Sequence, residues 1–434
     1  MGKISFDPHD HYNDAPGAGI AADVDGDGHI NAADALQILQ KVVGKIDRFP
    51  VDAALYGQDL TLTTLNADLY TTEPYASFID KLEQQYGMTL TVLPLTDDWE
   101  DKFAAGTSVG DVIETPNWYA RDLGRAGYLV NLADQRLQLL ANSLTASTGV
   151  GKYKYGVGFQ IAEGSIRGIF YNKDRLKQVA PDYDLNTMYT QGKWDLSAFR
   201  QLAALATQDT DADGKNDVYG ITANSHLIEM ALEANGGMTK EKNGRMVERL
   251  SENADLIATL NEIHNTDKSW LYKADVFQCI DQFNNGNALM FATYLTFGKD
   301  YVLDETDFEV GFIPMPKTDG SLYQFTSSIG VVFAVPKGKE DKAAAAVALA
   351  VQLHMLDFCT TEALQEEYPA SGLDQDSVQW AVQLQNVDRV DPAFHVLNLF
   401  DGLTSAVVTN TPIETKWATT AQKQLDDYYA PFYE

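Results

Sequence analysis

The sequence is short of cysteine, of basic residues and of long apolar runs, and each shortage excludes something. Two cysteines among 434 residues, Cys279 and Cys359, cannot build a disulfide framework, and no CxxC pair is present to hold zinc or an iron–sulfur cluster. Both lie in segments that read as helix, where a buried thiol is the commoner state. Lysine and arginine total 32 against 62 acidic residues, a formal charge of −30. That field repels phosphate backbones and anionic lipid, which argues against nucleic-acid binding and against docking through a basic patch. The greasiest stretch, Ala343 to Val351, stops at Gln352, well short of the roughly 18 apolar residues of a membrane span. There is no HExxH, GxxxxGK[ST] or GxGxxG. Gly106 to Gly110 has GxSxG spacing, but a strand-like Asp111-Val112-Ile113 follows Ser108 where a nucleophile elbow needs a helix. No signal peptide or lipid-attachment cysteine is visible near Met1.

What is present begins with two acidic loops. In the first, Asp23, Asp25 and Asp27 stand at alternating positions, Gly28 allows the turn, and His29 offers its carbonyl. Asn31 follows at position nine and Asp34 at twelve, the spacing at which an EF-type loop surrounds Ca²⁺ with hard oxygens. Leu36, Leu39 and Val43 then recur at helical spacing before Gly44, an apolar face that needs a second copy or a larger domain to cover it. This segment, about 1–50, resembles one repeat of a type I dockerin, a calcium-binding module that plugs into a cohesin. A cohesin partner is expected only if a second repeat exists in the full-length protein. The second loop places Asp209, Asp211, Asp213, Lys215 (through its carbonyl) and Asp217 at positions one to nine, with Gly220 at twelve. It is expected to hold a structural Ca²⁺ that pins a helix to the strand beginning near Val218. Two Ca²⁺ ions are thus the only cofactors expected.

The rest of the chain alternates strand and helix. Leu60 to Leu65 and Met88 to Leu93 read as strands, and between them Phe78, Ile79, Leu82 and Tyr86 mark a helix face that Pro74 opens. After Gly168-Ile169-Phe170-Tyr171-Asn172, Asp195 caps a helix with Phe199, Leu202, Leu205 and Ala206 on its face. Val276, Ile280 and Phe283 line another helix, and Ala288 to Phe291 and Val310 to Ile313 are short apolar strands. This rhythm is that of α/β architecture with mostly parallel sheets, and two lobes are the natural partition of a chain too long for a single small Rossmann unit.

A series of phrases in order is similar to the extracellular solute-binding proteins of family 1, the sugar receptors of ABC importers. They include Gly106 to Ile113, Leu123 to Leu132, Gly168 to Asp174, Gly192 to Phe199, Phe283 to Met290 and Gly311 to Pro316. The resemblance implies a type II periplasmic-binding-protein (Venus flytrap) fold over about 59–434, and the small EF-hand/dockerin-like segment that precedes it lies outside the resemblance. One lobe would hold 59–165 and about 292–345, and the other about 168–290 and 346–434. It implies extracellular capture of a carbohydrate, an oligosaccharide by the number of candidate rings, through hinge closure without chemistry. The partner implied is a membrane ABC permease. The chain would act as a monomer, as a surface lipoprotein whose targeting segment is absent from this sequence.

Sugars present C–H faces to aromatic rings and hydroxyl edges to carboxylates, amides and serines. By that logic Trp118 and Tyr119, after Asn117 at the end of the Asp111 to Glu114 strand, are the leading ligand candidates. Gln160 and Glu163 precede the first apparent crossing, and Ser328 could donate a hydrogen bond. Tyr294 occupies a slot where relatives carry a stacking aromatic, and Trp270 and Trp380 are further candidates. Trp194 reads as a packing residue, and His226 and His264 as polar surface residues. A glycan-active hydrolase, or a cell-surface polysaccharide-adhesion or scaffold protein of a dockerin-bearing system, stands as the alternative.

Overall fold

In the computed structural model of the chain the described residues are 24, 32–46, 53–96, 99–105, 109–133, 147–158, 166–318, 326–327, 331–385, 389–390, 396–397, 400–411 and 416–433. They form α/β structure in two units, Met1–Phe159 with Gly330–Thr360 and Gln160–Ile329 with Thr361–Glu434. The first strands are β1 (Asp59–Thr64), β2 (Thr89–Pro94), β3 (Val112–Pro116), β4 (Arg167–Asn172) and β5 (Tyr219–Ala223). They are followed by β6 (Thr239–Lys242), β7 (Arg245–Glu248), β8 (Trp270–Tyr272) and β9 (Ala288–Tyr294). The last are β10 (Val310–Ile313), β11 (Thr326–Ser327), β12 (Val331–Ala334) and β13 (Arg389–Val390).

The first unit is built on a sheet of order β12-β3-β1-β2, with β1 parallel to β2 and β3, and β12 antiparallel to β3. Leu60 and Leu62 alternate with threonines along β1 and are fully buried, as a strand with a core face requires. The helix Tyr75–Tyr86 lays Ile79, Leu82 and Tyr86 into the same core and ends at Gly87, whose φ of 58° is the left-handed stop glycine supplies without strain. Ala345, Ala346, Val347 and Leu349 of the helix Ala343–Ala370 close that core. None of the helices among the described residues is long and apolar enough to cross a membrane.

In the second unit the order is β10-β4-β9-β5-β8. Here β9, β5 and β8 are parallel, but β4 runs antiparallel to both β9 and β10, so the sheet is mixed where a mostly parallel one was expected. Ala292 to Tyr294 stay in register with β4, and β10 adds to its other edge, so both segments belong to the sheet of the second unit. Every residue of β4 is buried, which its continuous Gly-Ile-Phe-Tyr core reflects. The helix Leu196–Ala206 starts where Asp195 Oδ1 accepts the Ala198 N–H at 2.8 Å. Phe199, Leu202, Ala203 and Ala206 form its buried face, while Leu205, expected there, is 52% exposed. Trp194 is buried and its indole N–H donates to the Pro314 carbonyl at 3.1 Å. Antiparallel β6 and β7 are joined by Asn243-Gly244 at φ 53° and 73°, the two-residue turn that matches strand twist.

Of the acidic head, Asp23, Asp25, Asp27, His29 and Asn31 lie outside the described residues. The following helix, Ala32–Val42, is present and Asp34 is buried within it. Its apolar side is not covered as expected, since Leu36, Leu39 and Val43 are 54%, 58% and 58% exposed. Cys279 is a free buried thiol, pushed up to about 11 by its burial.

Candidate functional site

In parallel α/β sheets ligand chemistry collects at the carboxyl ends of the strands, where loops and helix starts converge. In the second unit that edge holds Tyr294, the last residue of β9, and Asn224 and His226, just beyond β5. Tyr294 is half-buried and stands directly opposite Arg167, the first residue of β4. The Arg167 guanidinium lies 4.5 Å from the Tyr294 ring centroid and donates from Nη2 to the phenol oxygen at 2.8 Å. His226 meets the ring edge-on at 4.8 Å and 85°.

Arg167 is itself held from the neighbouring helix. Glu229 and Glu233 are four apart on His226–Ala234, hence on one face, and both pair with Arg167 Nη1, Glu233 at 3.3 Å. Arg167, Glu229 and Glu233 side chains are only 4%, 8% and 9% exposed, so each acid needs the cation between them. Burial alone would weaken the hold of Arg167 on its proton, but Glu233 and Glu229 outweigh it and keep the guanidinium charged. Burial raises the Tyr294 phenol, against the pull of Arg167, so the ring stays neutral. His226, expected at the surface, is half-buried with Nδ1 unpartnered, and burial, then the Arg167 charge, pushes it down to about 4.

The equivalent edge of the first unit carries a second feature. Beyond β1 and β2, Leu65, Asn66, Asp68, Leu69, Thr72 and Pro94 line an open pocket of about 520 Å³. Beside it Tyr70 donates to Glu114 Oε1 at 2.8 Å, and Thr64 donates to Glu114 Oε2. Sequence reasoning passed over Asn66 and Asp68; their position immediately after the first strand was the available signal. Trp118 and Tyr119 are half-buried at the start of the helix Asn117–Arg125, their rings stacked at 3.7 Å, and Trp99 meets Tyr119 edge-on at 5.2 Å. Asn117 itself is buried and donates from Nδ2 to Ser147 Oγ at 2.8 Å, so it organises the loop from inside.

Two expected ligand aromatics are buried. Trp270 is 2% exposed, its indole N–H given to the Ala223 carbonyl at 3.0 Å. Trp380 is 8% exposed, donates to Asn186 Oδ1 at 2.9 Å and packs edge-on to Tyr189 at 4.5 Å. In both, the ring is buried and its one donor is given to a protein acceptor. Gln160, Glu163 and Ser328 lie outside the described residues.

The second acidic loop brings Asp209, Asp211 and Asp217 together, with one carboxylate oxygen of each within 4.8 Å of the others and all three exposed, a group that could hold a metal ion. Asp213 lies outside that group; its Oδ1 accepts the Lys215 N–H at 2.8 Å. Asp217 Oδ2 accepts both the N–H and the hydroxyl of Thr210, which hold its carboxyl below the usual range. Position twelve is glycine for a steric reason: a Cβ on Gly220 would sit 2.1 Å from the Ala203 carbonyl oxygen. The strand-to-helix packing that the loop serves therefore forbids the acid an EF-hand carries there.

The profile of bacterial extracellular solute-binding proteins matches residues 70–366. No curated protein sequence matches. Among solved structures, an uncharacterised protein of Listeria monocytogenes EGD-e superposes with TM-score 0.61 at 13% identity, over 86% of this chain and 99% of its own. An ABC substrate-binding protein of the same species in complex with cycloalternan gives 0.55 at 15%, over 86% and 99%. The GacH receptor of Streptomyces glaucescens GLA.O, solved unliganded and with acarbose, gives 0.52 at 14%, over 86% and 99%. At such identities the likeness establishes a shared fold.

Proposed function

The chain belongs to the bacterial extracellular solute-binding protein family, and we propose that it is the carbohydrate-capturing receptor of an ABC importer. The family binds solutes outside the cell and carries out no reaction on them, so the chain is a binding protein and not an enzyme. The observation that carries the carbohydrate reading is Tyr294, an aromatic face held at the strand-end edge by hydrogen-bonding and charged neighbours. Aromatic faces take the C–H side of a sugar, and the polar groups around them take its hydroxyls. Relatives of the same fold bound to cycloalternan and acarbose support the same ligand class.

In this reading Trp118, Tyr119 and Tyr294 stack on the ligand, and Asn117 holds the first pair in place. Asn66, Asp68, Gln160, Glu163 and Ser328 supply hydroxyl contacts. Several rings suit an oligosaccharide. Hinge closure holds the ligand for a membrane permease and opening releases it unaltered. The Asp209, Asp211 and Asp217 group takes Ca²⁺, for which exposed carboxylates in a short loop are the fitting donors, with carbonyls and water completing the shell. The protein acts as a surface-attached lipoprotein and a monomer.

Calorimetry against a panel of neutral oligosaccharides, with product analysis of the same mixtures, tests this. Binding without turnover, weakened at least tenfold by Tyr294→Ala or Trp118→Ala, is the expected result. Product formed in proportion to intact protein would overturn it.

A further inference from the structure

We propose that Arg167 is a positioning residue that locks the Tyr294 ring, leaving one face and one hydroxyl proton for the ligand. This rests on the reading of Tyr294 as a ligand platform. A tyrosine at the end of a strand ordinarily turns about its side-chain torsions, and binding must then order it at a cost. Here the guanidinium lies against the ring at 4.5 Å, His226 closes an edge at 4.8 Å, and Nη2 fixes the phenol oxygen at 2.8 Å. Arg167 has no freedom to release the ring, because Glu229 and Glu233 clamp its other nitrogen from the helix His226–Ala234.

Two consequences follow for selectivity. The face that Arg167 covers is closed to stacking, so a ligand that stacks on the ring does so on the opposite side, with Phe297 tilted 6.0 Å from the ring centroid. The phenol oxygen already accepts from Arg167, so its own proton is the group that remains to be given. The ligand atom that meets Tyr294 is therefore an acceptor, such as a hydroxyl or ring oxygen of a neutral sugar.

Arg167→Met alone would strand two buried acids and endanger folding, so the test uses Arg167→Met/Glu229→Gln/Glu233→Gln, which removes all three charges together. The ring is read first in ligand-free protein by ¹⁹F NMR of 3-fluorotyrosine-labelled samples, the resonance of residue 294 being assigned by its loss in Tyr294→Phe. The expected wild-type signal is displaced and broadened by slow ring flipping, and narrows toward the free amino-acid position in the triple variant. A signal unchanged between the two overturns the proposal.

Affinity is read next by calorimetry with maltotriose and the neutral oligosaccharide panel. The triple variant is expected to bind about tenfold more weakly, the scale of one charge-assisted hydrogen bond, and to add nothing further in a Tyr294→Ala background. An equal loss with and without Tyr294 overturns the proposal, since Arg167 would then act elsewhere. If wild type binds none of the panel, the carbohydrate reading falls, and the fluorine signal alone decides whether Arg167 locks the ring.

Discussion

His226 gives the cluster around Tyr294 a pH dependence whose size follows from the structure. Its imidazole is half-buried against the Tyr294 ring, close to the Arg167 charge, with Glu229 further along its own helix. Burial, followed by Arg167, brings its value from 6.5 to about 4. The folded protein thus disfavours the protonated form, and the unfolded chain takes up the proton first as the pH falls. The associated stability is complete above about pH 6.5 and is lost progressively toward pH 4. A shift of that size corresponds to about 3 kcal/mol at most. Carboxylates titrate in the same range, so the informative quantity is the difference between wild type and His226→Phe, which keeps an aromatic edge on Tyr294 and removes the titration. Hydrogen exchange by mass spectrometry reads the second unit by itself. Protection of the His226–Ala234 helix should fall between pH 7 and pH 4.5 in wild type and fall much less in the variant. Parallel loss in both proteins would refute the reasoning, because the buried imidazole would then carry no proton linkage.

Other outcomes follow from single contacts. Gly220→Ala should destabilise the second unit by about 3 kcal/mol or more in urea unfolding, because its Cβ meets the Ala203 backbone and not a movable side chain. Asp217→Asn should abolish terbium luminescence at the second acidic loop, and excess Ca²⁺ should quench that luminescence in wild type; a signal retained by the variant would remove Asp217 from the site. Trp380→Phe should cost stability, about 1–3 kcal/mol through the lost Asn186 bond and packing, and leave oligosaccharide affinity unchanged within twofold by calorimetry. Asp195→Ala should cost about 1 kcal/mol through its helix cap, without effect on affinity.

Features whose determinants are close in sequence were legible, and those that depend on chain path were not. The Asp195 cap, the helix face of Ile79, Leu82 and Tyr86, and the apolar strands β4 and β9 each declare themselves within a few residues. The direction of β10 does not, since nothing in Val310–Ile313 distinguishes a strand added antiparallel to β4 from one that leads away. The same limit explains the two tryptophans. In sequence an indole at Trp270 or Trp380 looks like one in a binding surface, and what commits each to the core is an N–H acceptor 47 or 194 residues away.

The Arg167 cluster lies between these cases. Arg167 and Glu233 are 66 residues apart, yet half of the cluster is written locally: two acids at i and i+4 interrupt the mostly apolar His226–Ala234 helix. Like charges at that spacing on a buried face are unfavourable without a cation between them, so the pattern predicts a buried basic residue from another element. Arg167, placed at the entrance of a wholly buried strand, is the other half of the same signal. Together the two halves locate the support of the Tyr294 ring from sequence alone.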